Sequence, residues 1–229
     1  MSAGSPRYHP YVIYRLWLLI GDIYFRFLFR KQWARGEQPH FFDHRHDAWG
    51  LLRGKVEPWC LWRGFNAGRL IQPGDVVLDI GCGDGFFTER FLGSRADRVD
   101  GIDIEPSAID HARQFYPAPN VTYHVMDAVT DPFPRERYDL IVWDGALGHF
   151  DPKTAEEMVA KIASSTERFC GSESLGYEGH DHLQFFERPE DVEKLFIPYF
   201  AFVESNTFSY GYRTEIYWRC SHILFTGIS

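Results

Sequence analysis

Residues 76–87 read VVLDIGCGDGFF, a short apolar run followed by a turn with three glycines. An apolar run of this length is typical of a parallel strand that is covered on both faces. Glycines in the turn let the backbone approach a ligand closely, and the helix expected after the turn begins with unpaired N–H groups. Because nucleotide cofactors bind at such strand-to-helix turns, the stretch predicts a nucleotide site at the end of the first strand.

The spacing of the glycines indicates which nucleotide is bound. A dinucleotide fingerprint places a glycine at the sixth position of G-x-G-x-x-G, and Phe86 occupies that position here. The pattern is instead G-x-G-x-G, with Asp79 two residues before Gly81. The resulting segment, DIGCGDG, resembles motif I of the class I S-adenosylmethionine (SAM) methyltransferases, D-x-G-x-G-x-G.

Three further predicted strands have an acid at the same edge of the sheet. Asp103 ends the second strand, 24 residues after Asp79, where an acid in a nucleotide-binding βαβ unit hydrogen-bonds ribose hydroxyls. Asp127 follows the third strand and Asp144 ends the fourth. The order and spacing resemble the class I methyltransferases over roughly residues 59–225. The resemblance implies an α/β, Rossmann-like fold with a seven-stranded, mostly parallel sheet and helices on both faces.

The same resemblance implies SAM as the cofactor and a role for each acid. In that family the acid after strand two binds the ribose, and the acid after strand three sits near the adenine amine. The segment before strand one folds over the pocket in similar enzymes, so Trp59, Trp62 and Arg63 are candidates for a lid. Taken singly, the acids could instead cap helices, and the tryptophans could simply cover the sheet. The predicted cofactor-binding residues are Asp79, Gly81, Cys82, Gly83, Asp103, Ile104, Asp127, Ala128, Asp144, Trp62 and Arg63.

The segment after strand four, GALGHF at residues 145–150, is expected beside the methyl group and the acceptor. It lacks the Asn/Asp-Pro-Pro-Tyr/Phe motif of enzymes that methylate amino groups of bases or glutamine. Similar loops occur in small-molecule and sugar methyltransferases, so we expect the acceptor to be a hydroxyl of a sugar, glycan intermediate or natural product. A hydroxyl acceptor needs a base, commonly a histidine or a carboxylate. The candidates are His149 first, then His180 and His182, with Asp144 as a base or as the group that orients the histidine, and Glu173 as a weaker choice.

Two other functions remain compatible with the sequence. A nicotinamide-dependent oxidoreductase could use a related sheet, although Phe86 and the acids after strands three and four count against it. A SAM-binding scaffold or regulator without catalysis would bind the cofactor tightly and turn over no acceptor.

The composition narrows the choice of partners and compartment. The chain has 229 residues with 24 Lys and Arg against 32 Asp and Glu, a net charge of −8. This charge disfavours a nucleic-acid partner, because binding to phosphates depends on Lys and Arg. The four cysteines are widely spaced and form no C-x-x-C pair, which predicts neither zinc nor a disulfide framework and favours the cytoplasm. His44 and His46 have no third ligand at a recognisable spacing, so no metal site is expected.

The N-terminal part is expected to be a separate helical extension or lid over residues 1–56, ahead of a methyltransferase domain at 57–229. Residues 11–30 are strongly apolar and would form a helix about 30 Å long. Its charged residues share one stripe, which argues against crossing a bilayer. Packing within the protein or in a homodimer through residues 10–35 is the favoured reading, and peripheral membrane contact is the alternative. No signal peptide is apparent.

Overall fold

The structure is a computed structural model, and it describes three continuous stretches and four further residues. The stretches are 58–176, 182–210 and 213–222, and the four residues are Leu16, Leu19, Ile20 and Ile23.

The chain divides into two units, Met1–Val56 and Glu57–Ser229. The four described residues of the first unit are helical. The predicted membrane or dimer role of residues 10–35 falls almost wholly outside the described residues and stays a prediction. Among the described residues, no helix has the length and apolar character needed to span a bilayer.

The second unit is built on one seven-stranded sheet with the strand order β3-β2-β1-β4-β5-β7-β6. Strands β1 to β5 are parallel to one another, β7 runs antiparallel to β5, and β6 runs antiparallel to β7. This topology confirms the predicted Rossmann-like fold with a seven-stranded, mostly parallel sheet. The strands are β1 (Val76–Ile80), β2 (Arg98–Asp103), β3 (Val121–Val125), β4 (Leu140–Asp144), β5 (Arg168–Leu175), β6 (Phe202–Tyr210) and β7 (Arg213–Ser221).

The helices connect these strands and begin at residues that suit a helix start. Pro106, Pro152 and Pro189 stand in the first turn of three helices, where a missing N–H costs nothing. Asp151 also caps its helix, since its carboxylate accepts from the backbone N–H groups of Lys153 and Thr154. The helices are α1 (Pro58–Gly68), a π-helix (Thr88–Gly93), α2 (Pro106–Phe115), a 3-10 helix (Leu147–His149), α3 (Pro152–Ser165) and α4 (Pro189–Phe196).

Side chains of the central strands point alternately to the two faces of the sheet, and each face carries a hydrophobic core. Leu78 and Trp143 point into the larger core, and Val77 and Val142 point into the opposite one, which also contains residues of the α1 region. Because side chains alternate along a strand, Asp79 and Asp144 share the face of this second core. The two acids at the ends of β1 and β4 therefore lie on the side of the sheet that α1 covers.

Candidate active site

The glycine turn after β1 has one open side and one crowded side. Gly81, Gly83 and Gly85 have positive φ angles of 70°, 54° and 83°, a backbone region that favours glycine. A Cβ on Gly85 would lie 2.7 Å from the Cβ of Ala112 and 2.8 Å from the hydroxyl of Tyr123, so this glycine serves packing. Among the described residues, a Cβ on Gly81 would come within 4 Å of one atom, the Cβ of Ala146, at 3.9 Å. The described part of the chain therefore leaves space beside the first glycine at the edge of the sheet, where a ligand can approach.

Asp79 is a buried carboxyl beside this turn. Its side chain is 6% exposed, and its Oδ2 accepts a hydrogen bond of 2.6 Å from the hydroxyl of Thr88. Burial raises the pKa of Asp79 to about 7, while the Thr88 hydrogen bond lowers it and the charges of Asp144 and Asp103 raise it further. A carboxyl of this kind can change its protonation state near neutral pH when a positive charge comes close.

Asp103, at the end of β2, holds the glycine turn in place. Its Oδ2 accepts from the backbone N–H of Gly83 at 2.9 Å, and its Oδ1 accepts from that of Glu105 at 2.9 Å. A carboxylate has about four lone-pair sites, so each of its oxygens can accept more than one hydrogen bond. Ile104, next in the chain, is 66% exposed. A polar acceptor and an apolar surface therefore stand side by side, as a ribose and a base require.

Asp127 and Cys82 have structural contacts that the sequence did not reveal. The Asp127 carboxylate accepts from the backbone N–H of Val129 at 2.9 Å and from the hydroxyl of Thr130 at 3.0 Å, so it stabilises the turn after β3. The side chain of Cys82 is buried in a small core with Tyr123. A contact from Cys82 to a ligand would have to come from its backbone. Ala128 packs its side chain on the larger core, and its carbonyl accepts from the Lys161 ammonium.

Arg63 reaches from α1 across the edge of the sheet to β7. Its Nη2 lies 2.9 Å from Oε2 of Glu215, a carboxylate whose side chain is 1% exposed and whose Oε1 accepts from the hydroxyl of Ser174 at 2.8 Å. A Cβ on Gly145 would collide with the Arg63 guanidinium, so the guanidinium lies directly on the residue that follows Asp144. Arg63 thus joins α1, β4 and β7 at one point.

The aromatic lid candidates differ in what the structure shows of them. Trp62 is 42% exposed and stacks on Phe208 of β6, with ring centroids 5.1 Å apart. The side chain of Trp59 lies outside the described residues. Trp62 therefore links α1 to β6 while leaving much of its ring accessible.

Asp144 lies beside Arg63 and has a pKa of its own near neutrality. Burial raises the pKa of Asp144 to about 6. The positive charge of Arg63 and a hydrogen bond from the Ser172 hydroxyl lower this pKa. The negative charges of Glu215 and Glu173 raise it. Asp144 can therefore exist in either protonation state at neutral pH. Its interaction with Arg63 of α1 agrees with a position of the Asp144 side chain on the face of the sheet that α1 covers.

The histidines predicted after β4 and β5 come together. The rings of His149 and His182 have centroids 4.7 Å apart and are nearly perpendicular, at 83°. His149 is exposed at the end of the 3-10 helix, and His182 is half-buried. His180 lies outside the described residues. Glu173, the weaker candidate, is buried, and its two oxygens accept from the N–H groups of Gly148 and Ser174 at 2.9 Å each, so it supports the loop.

Sequence reasoning missed Glu215 and Ser174, which complete the polar cluster around Arg63. The sequence pattern that could have identified Glu215 is its position directly before three apolar residues in the segment EIYWRC, residues 215–220. Within the stretches that the structure describes, no group of three or more His, Cys, Asp or Glu side chains is arranged to hold a metal ion.

The geometry fits SAM at four points. Gly81 offers open space at the turn, Asp103 offers carboxylate oxygens, Ile104 offers exposed apolar surface, and Asp79 offers a carboxyl that a cation would ionise. All four residues lie at or just beyond the carboxyl ends of β1 and β2, the edge where nucleotides bind in doubly wound sheets.

Comparisons with known proteins agree with this fit. Residues 77–168 match the family model described as "Methyltransferase domain". The chain is 46% identical over 56 residues to the ribosomal protein L11 methyltransferase of Nitrosomonas europaea, which covers 23% of this chain and 18% of the relative. It is 32% identical over 114 residues to the malonyl-[acyl-carrier protein] O-methyltransferase of Acetivibrio thermocellus, covering 48% of this chain and 38% of the relative. The chain therefore spans well under half the length of these curated relatives.

Solved structures share the fold at lower identity. The N-methyltransferase NodS from Bradyrhizobium japonicum WM9 superposes with a TM-score of 0.61 at 20% identity, covering 72% of this chain and 97% of NodS. NodS has also been solved in complex with S-adenosyl-L-homocysteine (SAH), the demethylated form of the cofactor. Residues 77–168 thus match a methyltransferase-domain model, and the strand order is that of the class I SAM-dependent methyltransferase fold.

Proposed function

We propose that the chain transfers a methyl group from SAM to a small-molecule acceptor, and that the accepting atom is a hydroxyl of a sugar, glycan intermediate or natural product. The observation that carries this proposal is the arrangement at the carboxyl edge of the sheet. An open glycine turn at Gly81 stands at this edge with Asp79 and Asp103, and the loops that follow β4 and β5 bring His149 and His182 together.

The part of the site that would bind the cofactor is formed by Asp103 and its neighbours. The fixed carboxylate of Asp103 would accept the ribose hydroxyls, and the exposed side chain of Ile104 would cover one face of the adenine. When bound, SAM supplies a methyl group on a positively charged sulfur. Asp79 would be ionised by that charge and by the cofactor's amino group, because its pKa of about 7 leaves it close to titration.

The part of the site that would hold the methyl acceptor is formed by the loop after β4. His149 is exposed there and meets His182, so an imidazole is available to take the proton of a hydroxyl acceptor. Leu183 and Phe185, just beyond His182, are 63% and 49% exposed and offer apolar surface next to this base. Methyl transfer is an in-line displacement, so holding the acceptor oxygen against the methyl carbon supplies much of the acceleration.

A second candidate is methyl transfer to an amine. The carboxylates of Asp144, Glu173 and Glu215 act on the single guanidinium of Arg63, which leaves this part of the site negative when all three are ionised. Negative charge stabilises a cationic acceptor and makes a hydroxyl harder to deprotonate. The fold similarity to an enzyme named N-methyltransferase is compatible with this candidate.

The test is release of SAH from SAM in the presence of two acceptor panels. One panel holds sugar nucleotides and hydroxylated metabolites, and the other holds primary and secondary amines of similar size. We expect turnover with at least one hydroxyl compound of the first panel and little turnover with the amine of similar size in the second panel. Turnover confined to amines would support the second candidate, and SAH binding without turnover on either panel would favour a non-catalytic scaffold.

The matched variants separate the two halves of the site. His149→Ala should lower turnover while SAH binding is kept, and Asp103→Ala should weaken SAH binding. Asp110→Asn, whose side chain is 79% exposed on α2, should change neither.

A further inference from the structure

The loop that follows β3, residues 127–133, is closed by hydrogen bonds within itself. The Asp127 carboxylate accepts from the backbone N–H of Val129 at 2.9 Å, and the Asp131 carboxylate accepts from the backbone N–H of Asp127 at 3.1 Å. The backbone N–H of Asp131 donates to the carbonyl of Asp127 at 3.0 Å. These bonds give the loop its shape without tying it to another element of the fold.

Lys161, on α3, connects this loop to the body of the domain. Its ammonium donates to the carbonyl of Ala128 at 2.6 Å and to that of Asp131 at 2.5 Å. The same ammonium lies 4.3 Å from the centre of the Phe133 ring, within the range of a cation–π contact. Burial lowers the pKa of Lys161, while the nearby charges of Asp127 and Asp131 raise it. One cation therefore holds two carbonyls of the loop against α3 and lies close to two of its carboxylates.

The loop borders the proposed cofactor site on the side away from the glycine turn. The backbone N–H of Met126, directly before the loop, donates to the carbonyl of Asp103 at 2.8 Å. In the sheet, β2 lies between β1, which leads into the glycine turn, and β3, which leads into the loop. A nucleotide that places its ribose on Asp103 and its tail on the glycine turn would therefore place its base towards the loop.

The loop offers a hydrogen-bond acceptor to such a base. The adenine of SAM carries an exocyclic amine with two N–H donors. The Asp127 carboxylate has about four lone-pair sites, so it can accept from this amine in addition to its bonds within the loop. The place of the carboxylate depends on where the loop is held, and hence on Lys161.

We propose that Lys161 is a positioning residue for the base of the cofactor, which acts by holding the loop after β3 in the place where Asp127 meets the adenine amine. This inference rests on the proposed SAM site. Methionine at position 161 would keep the length of the side chain but would leave two carbonyls without their donor. It would also remove the positive charge beside Asp127 and Asp131, so their mutual repulsion would move the loop away from α3.

The test is calorimetry of the full chain with SAH and with S-inosylhomocysteine, in which a carbonyl oxygen replaces the adenine amine. Because that oxygen cannot donate to a carboxylate, the wild type should bind SAH about 10–100-fold more tightly than the analogue. Lys161→Met should lower this preference to about threefold or less, by weakening SAH more than the analogue. Lys161→Gln, which removes the charge but keeps a donor, should show a smaller loss of preference.

The matched control is Lys153→Met on the same helix. The Lys153 side chain is 84% exposed and pairs with Glu157, so this variant should keep the wild-type preference. A purely stabilising role of Lys161 would weaken both ligands by the same factor, because it would change only the folded fraction of the protein.

The ratio of the two affinities separates this inference from the proposed function. Equal affinities of the wild type for SAH and the analogue, or a preference that persists unchanged in both Lys161→Met and Lys161→Gln, would overturn the role of Lys161 and leave the SAM site in place. Absence of SAH binding by the wild type would instead refute the SAM site itself, and with it this role.

Discussion

Replacing Asp79 by Asn should change how the stability of the protein depends on pH. Asp79 is buried at the end of β1, and burial raises its pKa to about 7 from an ordinary value of 3.8. The folded chain therefore keeps a proton on Asp79 over a pH range in which the unfolded chain has lost it. Asparagine keeps the shape of the side chain and an oxygen that can accept from Thr88, but it cannot titrate.

The magnitude follows from the size of the shift. A rise from 3.8 to about 7 is roughly 3 pKa units, and each unit corresponds to about 1.4 kcal/mol, which gives about 4 kcal/mol. The sign follows from proton binding, because stability falls with rising pH wherever the folded state binds more protons than the unfolded state. The contribution of Asp79 is therefore complete below pH 3.8, is lost as the pH rises to about 7, and stays lost above that value.

The assay is urea unfolding of the SAM-free protein at several pH values from 4.5 to 8. Between these limits the free energy of unfolding of the wild type should fall relative to Asp79→Asn by about 3 kcal/mol. Thr88→Val should move the fall to higher pH, since it removes the hydroxyl that lowers the pKa of Asp79. Asp110→Asn, on an exposed site, should follow the wild-type curve. Parallel curves for the wild type and Asp79→Asn would refute the assignment of a buried, protonated carboxyl.

Three other changes test other parts of the structure. Glu215→Ala should lower the free energy of unfolding in urea by about 3–5 kcal/mol, because it removes the carboxylate that pairs with the buried Arg63 guanidinium. Its control is Glu204→Ala, which breaks the more exposed pair with Arg219 and should cost about 1 kcal/mol or less. Gly85→Ala should cost about 2–4 kcal/mol in the same assay, since its φ of 83° is strained for alanine and its Cβ would lie 2.7 Å from Ala112. His149→Ala should lower turnover by about 10²–10⁴-fold, and near-normal turnover would move the base elsewhere.

The sequence predicted the sheet well because its signals are local. The apolar run of β1, the glycines after it and the acids at the strand ends each depend on a few neighbouring residues. The same signals placed Asp103 next to the glycine turn, where the structure shows its carboxylate holding Gly83.

The parts that the sequence could not supply depend on contacts between distant residues. Arg63 and Glu215 are 152 positions apart, and only the packing of α1 over β7 brings them together. The pairing of His149 with His182 likewise depends on how the two loops meet at Gly148. Asp127 resembled a cofactor ligand by position, yet its described hydrogen bonds close a turn, a role that the residue type suits equally well.

We propose that SAM binds at the edge of the sheet around Asp103 and the glycine turn. The most direct measurement is isothermal titration calorimetry of the full chain with SAH, with NAD as the comparison ligand and Asp103→Ala as the matched variant. We expect micromolar binding of SAH, no binding of NAD, and a loss of about 1.5–3 kcal/mol of SAH binding free energy in Asp103→Ala through the missing hydrogen bonds to the ribose. Binding of NAD, or an unchanged SAH affinity in Asp103→Ala, would contradict it.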